Sequence, residues 1–206
     1  MEKLIIVGVG GHAKVIGDVA KWTYEVSAYI GLPDESGDID GVKIISGEDG
    51  LEEIYKSGIV NAIIGIGDNK IRAKLYLKLK QIGFHMANVI SPNAYISSSV
   101  VMGDGNLIVH GVIINPGTVI GNNNIINTNT SIDHDNIIGD NIHIAPGCNL
   151  AGKVQVGSGT FIGIGSKVIP ELEIGSNVIL GAGSVVINNI ADNQKVVGVP
   201  ARKIIG

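Results

Sequence analysis

From residue 90 onward an aliphatic side chain returns at every sixth position. Ile90, Ile96, Met102, Ile108, Ile114, Ile120, Ile126, Ile132, Ile138, Ile144, Leu150, Val156, Ile162, Val168, Ile174, Leu180 and Val186 hold this register without a slip. Four residues after each comes a mostly compact residue, for example Val112, Thr118, Thr130, Cys148, Thr160, Ser166 and Ser184. Gly, Asn, Asp and Ser fill many of the remaining places. No single helix keeps every sixth residue on one face, but a hexapeptide parallel β-helix does. Each hexad supplies one short flat side, its aliphatic residue points inward, and the small polar residues turn the corner. Successive coils then stack about 4.8 Å apart.

Before residue 89 the pattern is different. Residues 4–7, 26–30 and 60–67 read as strands, the last with its exit loop. Residues 12–22, 48–56 and 69–82 read as helices. This alternation predicts a small parallel, Rossmann-like α/β sheet. The expected organisation is an α/β domain over residues 1–88 and a β-helix with a C-terminal tail over residues 89–206.

Composition narrows the possibilities. Among 206 residues there are 30 Gly, and only 4% are aromatic although 45% are apolar, so small and β-branched side chains must fill the interior. The net charge of −4 argues against a nucleic-acid partner. Cys148 is the single cysteine, which excludes an internal disulfide and suits a reducing, cytoplasmic setting. No apolar run is long enough to span a membrane, and MEKLIIVGVGGH is too short an apolar run for a signal peptide.

Three segments carry candidate chemistry. GVGGHA (8–13) follows a strand and opens a helix. Gly8, Gly10 and Ala13 fit the G-x-G-x-x-G/A fingerprint, and Asp34 lies about 20 residues on. The unit is short for a full dinucleotide domain, but amides at a helix N-terminus still favour a phosphate. The second segment, IGIGDNKIR (64–72), follows another strand. The third, SIDHDNIIGDNIHIAPG (131–147), sets His134 and His143 nine residues apart among acids. Histidine side chains titrate near ~6.5 and suit proton transfer, and a neighbouring acid can orient the ring.

The unbroken hexads, with GVGGH in front and VVGVPARKI behind, resemble bacterial sugar acetyltransferases of the sialic acid O-acetyltransferase type. The branch acting on UDP-4-amino sugars is the most similar. The resemblance covers the whole chain. It implies a left-handed solenoid with three hexads per 18-residue coil, acetyl-CoA as co-substrate, a sugar nucleotide as acceptor, and a homotrimer with active sites in the clefts between prisms. His134 then matches the general base, with Asp135 as its acid and Asp133 as the second candidate. One coil on, Gly152 shares the corner of His134, and its amide matches the group facing the thioester oxygen of acetyl-CoA. His143 matches a histidine on the acetyl-CoA side.

For the acceptor, the resemblance implies that Gly10, Gly11 and His12 meet the diphosphate and sugar. Gly65, Ile66, Gly67 and Asn69 line the same pocket, Asn127 contacts the sugar, and Arg72 is either part of that pocket or a solvated helix residue. Relatives often carry an acid pair just after the second strand that reads the nucleobase. Here GLPDE (31–35) delays the acid to Asp34, which leaves the base open between uracil, guanine and others.

Two other activities fit the same residues less fully. An O-acetyltransferase acting on sialic acid would share base, amide and donor. A non-catalytic sugar-nucleotide scaffold would leave His134 beside Gly152 without a purpose. Zinc is disfavoured: His110, His134 and His143 are separated by 24 and 9 residues, without the close histidine pair of the zinc-binding β-helices. Cys148 falls on an inward position and reads as core filler.

Overall fold

The computed structural model describes residues 1–204. Its first part is a six-stranded sheet. β1 (Glu2–Val7) leads into α1 (Gly11–Ala20), β2 (Tyr24–Gly31), β3 (Asp38–Ile39) and β4 (Val42–Ser46). α2 (Leu51–Lys56), β5 (Asn61–Ile64), α3 (Asn69–Ile82) and β6 (His85–Met86) follow. The order is β3-β4-β2-β1-β5-β6, parallel throughout except for the β3–β4 hairpin. β3, β4 and β6 are additions to the expected strands. β4 is a half-buried strand whose only parallel neighbour is β2, so its hydrophobic pattern is weak. α3 starts where Asp68 accepts from the amides of Lys70 and Ile71 and stops at left-handed Gly83.

The second part is a left-handed parallel β-helix. Each hexad contributes a two-residue strand to one of three faces. Along the first face Leu107 pairs with Ile125, Ile125 with His143, His143 with Phe161 and Phe161 with Ile179, steps of 18 residues. The second face carries Ser131–Ile132 and Asn149–Leu150, the third Ile137–Ile138 and Gln155–Val156. The hexad aliphatics from Ile108 to Val186 are buried and form one continuous core. Fully burying one such side chain is worth roughly 1.5–3 kcal/mol.

The corners explain the polar part of the repeat. A left-handed residue recurs at every sixth position from Gly105 to Gly183, including Asn123, Asn129, Asp135 and Asn141. Glycine, and less readily Asn or Asp, tolerates this conformation. The compact residues have their own role: Thr118 donates to Asp133 O (2.9 Å), Thr130 to Ala145 O (3.2 Å) and Thr160 to Gly175 O (2.7 Å). Buried Cys148 takes the same place and donates to Gly163 O (3.1 Å). Burial raises its thiol pKa, which suits a core filler.

The two parts share a core. Leu4, Ile6, Ala13, Ile16 and Val19 pack with Val89, Leu107 and Ile125, the outward side chains of the first solenoid face. Polar stitches reinforce this: His110 lies between Ser91 Oγ (2.7 Å) and Asp18 (3.1 Å), and Tyr76 bonds to Asp104. The α/β part covers the first face as far as His143. Beyond it, Ile179 and Lys195 of that face stand exposed.

Candidate active site

His134 sits on the corner between the second and third faces, one residue before left-handed Asp135. That backbone conformation swings the Asp135 carboxylate back, so Asp135 Oδ2 lies 2.9 Å from His134 Nδ1. An Nδ1–H donated to that carboxylate would leave the lone pair on Nε2. Asp133 does something else. Its Oδ1 accepts from the His134 amide (2.9 Å) and from Asn115 Nδ2 (2.9 Å), and the Asn115 bond first, then that amide, lowers its pKa. It braces the turn, while Asp135 alone reaches the ring. A Cβ placed on Gly152 would come 2.6 Å from both Cε1 and Nε2 of His134, so the ring packs directly on that glycine.

The glycine loop opens a second space. Gly8 makes the turn after β1 (φ +120°), and a Cβ there would meet Gly65 O at 2.9 Å. Gly10 has φ −78°, which any residue adopts, and a Cβ on Gly10 or Gly11 would meet nothing within 4 Å. These two glycines therefore present bare backbone to open space at the start of α1. A cavity of about 410 Å³ lies there, bounded by Gly10, Gly11, His12, Gly65, Ile66 and Gly67.

Asp34 does not line that cavity but a neighbouring one. Glu35 lines it instead. Its Oε2 accepts from Leu32 N (2.7 Å), folding the carboxylate back under the end of β2. A Cβ on Gly31 would sit 2.9 Å from Glu35 Oε2, so the glycine makes room for this return. The loop geometry, invisible in the sequence, brings the Glu35 carboxylate to this cavity.

His143 is on the first face, away from His134, and is 6% exposed. Its ring meets those of His12 and Phe161 edge-on, each centroid 5.1 Å away. Nδ1 faces Gly67 O at 3.3 Å and Nε2 faces Asn127 Nδ2 at 3.4 Å. Burial first, then the nearby His12 and Arg72, push its pKa down to about 4, so it is neutral at physiological pH. Burial followed by Arg72 also lowers His12. Such a ring presents little surface within one subunit.

Arg72 is buried rather than solvated. Nε donates to Asn123 O (3.0 Å), Nη1 to Ile66 O and Gly67 O (both 3.2 Å), and Nη2 to Asn69 Oδ1 (2.8 Å) and Ile142 O (3.2 Å). Asn69 uses its amide nitrogen on Gly159 O (3.0 Å) and Thr160 O (3.1 Å). Its side chain is thus committed to holding the two parts together, although the residue borders a groove of about 820 Å³ that runs past Gly67, Phe161, Ile179 and Lys195. Gly67 lines both this groove and the glycine-loop cavity. Among the described residues no group of three or more His, Cys, Asp or Glu is placed to hold a metal, and no helix is long and apolar enough to cross a membrane.

The profile of the PglD N-terminal domain matches residues 3–79, and that of the bacterial transferase hexapeptide (six repeats) matches residues 153–188. Perosamine N-acetyltransferase from Caulobacter crescentus, solved as a histidine-to-asparagine variant with CoA and GDP-perosamine, is 36% identical. The alignment covers 100% of this chain and 98% of that one, with a TM-score of 0.97. The acetyltransferase domain of PglB from Neisseria gonorrhoeae, solved with acetyl coenzyme A, is 29% identical over 98% of this chain and 99% of its own, with a TM-score of 0.90. With likeness of this extent running through both parts of the molecule, the chain belongs to the hexapeptide-repeat sugar acetyltransferases and is an enzyme that uses acetyl-CoA as co-substrate.

Proposed function

We propose that this enzyme transfers the acetyl group of acetyl-CoA to the amino group of a nucleotide-linked amino sugar, with His134 as general base. The observation that carries the reading is His134 packed on Gly152 with Nδ1 bonded to Asp135. The acceptor amine attacks the thioester carbonyl, and a C–N bond forms as negative charge gathers on the oxygen. In this reading the Gly152 amide stabilises that oxygen. His134 Nε2 takes the proton of the attacking amine, and Asp135 stabilises the resulting imidazolium. The C–S bond then breaks, and the departing thiolate recovers a proton from His134. No acyl-enzyme is required.

The acceptor nucleotide belongs in the glycine-loop cavity, its diphosphate at the bare backbone of Gly10 and Gly11 and its sugar near Asn127. The resemblance in sequence suggests a UDP-sugar. The complex of the 36%-identical relative with GDP-perosamine supports a GDP-sugar more directly, as does the carboxylate of Glu35, which can accept from the two adjacent N–H groups on guanine's edge but from only one, N3–H, on uracil's. We place the GDP-linked amino sugar first. A homotrimer would bring His134 of one subunit to the first face of another. An exposed column of Val101, Val119 and Ile137, in register along the third face, supports burial against a further copy. The cytoplasm, where acetyl-CoA is available, is the compartment this chemistry needs.

The test is release of free CoA with GDP- and UDP-linked amino sugars and with hydroxyl analogues, alongside light scattering. Turnover with the amino sugar nucleotide, lost in His134→Ala, is expected from a trimer. Turnover only with hydroxyl acceptors, or full activity in a monomer, overturns the corresponding part of the proposal.

A further inference from the structure

Arg72 is a fully buried guanidinium whose hydrogen-bond partners are four backbone carbonyls and one amide oxygen, with no carboxylate among them. Burying a charge in this way is costly unless its geometry serves a purpose. The carbonyls come from two places. Ile66 O and Gly67 O belong to the loop shared by the cavity and the groove. Asn123 O and Ile142 O belong to consecutive coils of the solenoid, and Ile142 immediately precedes His143.

The next links follow from donor and acceptor inventory. Asn127 Oδ1 accepts from Thr128 N at 2.8 Å, which fixes the orientation of the Asn127 amide and turns its Nδ2 toward His143 Nε2. An N–H facing Nε2 requires Nε2 to be the acceptor, so the proton of neutral His143 sits on Nδ1. That proton points at Gly67 O, the oxygen that Arg72 Nη1 also holds. The series Arg72, Gly67, His143, Asn127 is therefore consistent in the direction of every hydrogen bond.

We propose that Arg72 is a positioning residue for acceptor binding. By pinning the Gly67 carbonyl it holds His143 in the Nδ1–H tautomer, whose Nε2 accepts from Asn127 Nδ2 and so steadies beside the acceptor a side chain that Thr128 N already orients through Oδ1. The buried histidine is thereby a link in the acceptor site and not a donor ligand. The kinetic half of this inference rests on the proposed acceptor site; the tautomer half does not.

Two full-length variants test it, Arg72→Met and Arg72→Lys. Long-range ¹H–¹⁵N spectra of the imidazoles report the tautomer without any substrate. The wild type is expected to show His143 as Nδ1–H alone. Both variants, shown to be folded by circular dichroism, should add Nε2–H signals and raise acceptor KM about tenfold or more, with acetyl-CoA KM changed less than about twofold. A folded variant that keeps only the Nδ1–H form, or that changes tautomer with no change in acceptor KM, overturns the role. So does failure of both variants to fold, which would make Arg72 a requirement of the fold alone. If the wild type turns over no amino sugar nucleotide, the proposed function fails, and the spectra still decide whether Arg72 sets the tautomer.

Discussion

The imidazole of His134 rests on Gly152 one coil further along the solenoid, so closely that a Cβ on the glycine would lie 2.6 Å from Nε2. Gly152→Ala must therefore displace the proposed base. Because the obstruction is a side chain on an open corner, the fold should accept the change. We expect kcat to fall by about 10²-fold or more with a melting temperature within a few degrees of wild type. Steady-state kinetics beside thermal melts checks this, and unaltered kcat would show that the ring need not occupy this place.

Replacing the ring itself gives the direct measure. His134→Ala is expected to lower kcat about 10²–10⁴-fold and to leave acetyl-CoA affinity nearly unchanged. Asp135→Asn keeps the turn, because Asn also tolerates the left-handed conformation, but no longer fixes the Nδ1 proton. Its kcat should fall by about tenfold. Equal activity of wild type and Asp135→Asn would remove the acid from the mechanism.

Two glycines of the loops should behave in opposite ways. Gly10→Val adds a side chain in open space at an ordinary φ, so the protein should fold, and acceptor KM should rise at least about tenfold, about 1.4 kcal/mol if KM reports affinity. Gly65→Ala puts a Cβ 2.7 Å from the Ala13 backbone and should cost roughly 1–3 kcal/mol of stability. Denaturant melts and acceptor titrations separate the two effects. A rise in acetyl-CoA KM in Gly10→Val, with acceptor KM unmoved, would assign the loop to the donor.

The buried histidine predicts a pH dependence of stability. His143 has its pKa lowered from 6.5 to about 4 in the folded protein. Between those values the unfolded chain binds a proton that the folded one refuses, so stability falls as pH drops through this window and levels off below it. Relative to His143→Gln, the wild type should lose about 2 kcal/mol between about pH 7 and about pH 5. Parallel loss in both proteins would mean that His143 titrates normally.

The hexad pattern determined the solenoid, because period and direction are locked together: an inward aliphatic every sixth residue fixes which residues face the core. With the three-hexad coil that the resemblance implies, it also placed His134 beside Gly152, since 18 residues return the chain to the same corner. Most left-handed corner positions were legible for a similar reason, being local backbone demands met by Gly, Asn and Asp; Lys153 and Glu171 take the same conformation without that signature.

Tertiary structure decided what no local pattern encodes. Arg72 shares the buried face of α3 with Leu75 and Leu79, but its charge left a solvated reading open, and only the docking of α3 on the solenoid buries it among carbonyls from residues 66 to 142. The choice of Glu35 over Asp34 depends on a loop folding back under Gly31. The burial of His143 depends on where the α/β part ends along the first face. Periodicity governs contacts between residues at fixed separations, so the sequence by itself determined the repeating scaffold and its corner chemistry. Contacts between the two parts obey no period, and only three-dimensional packing set them.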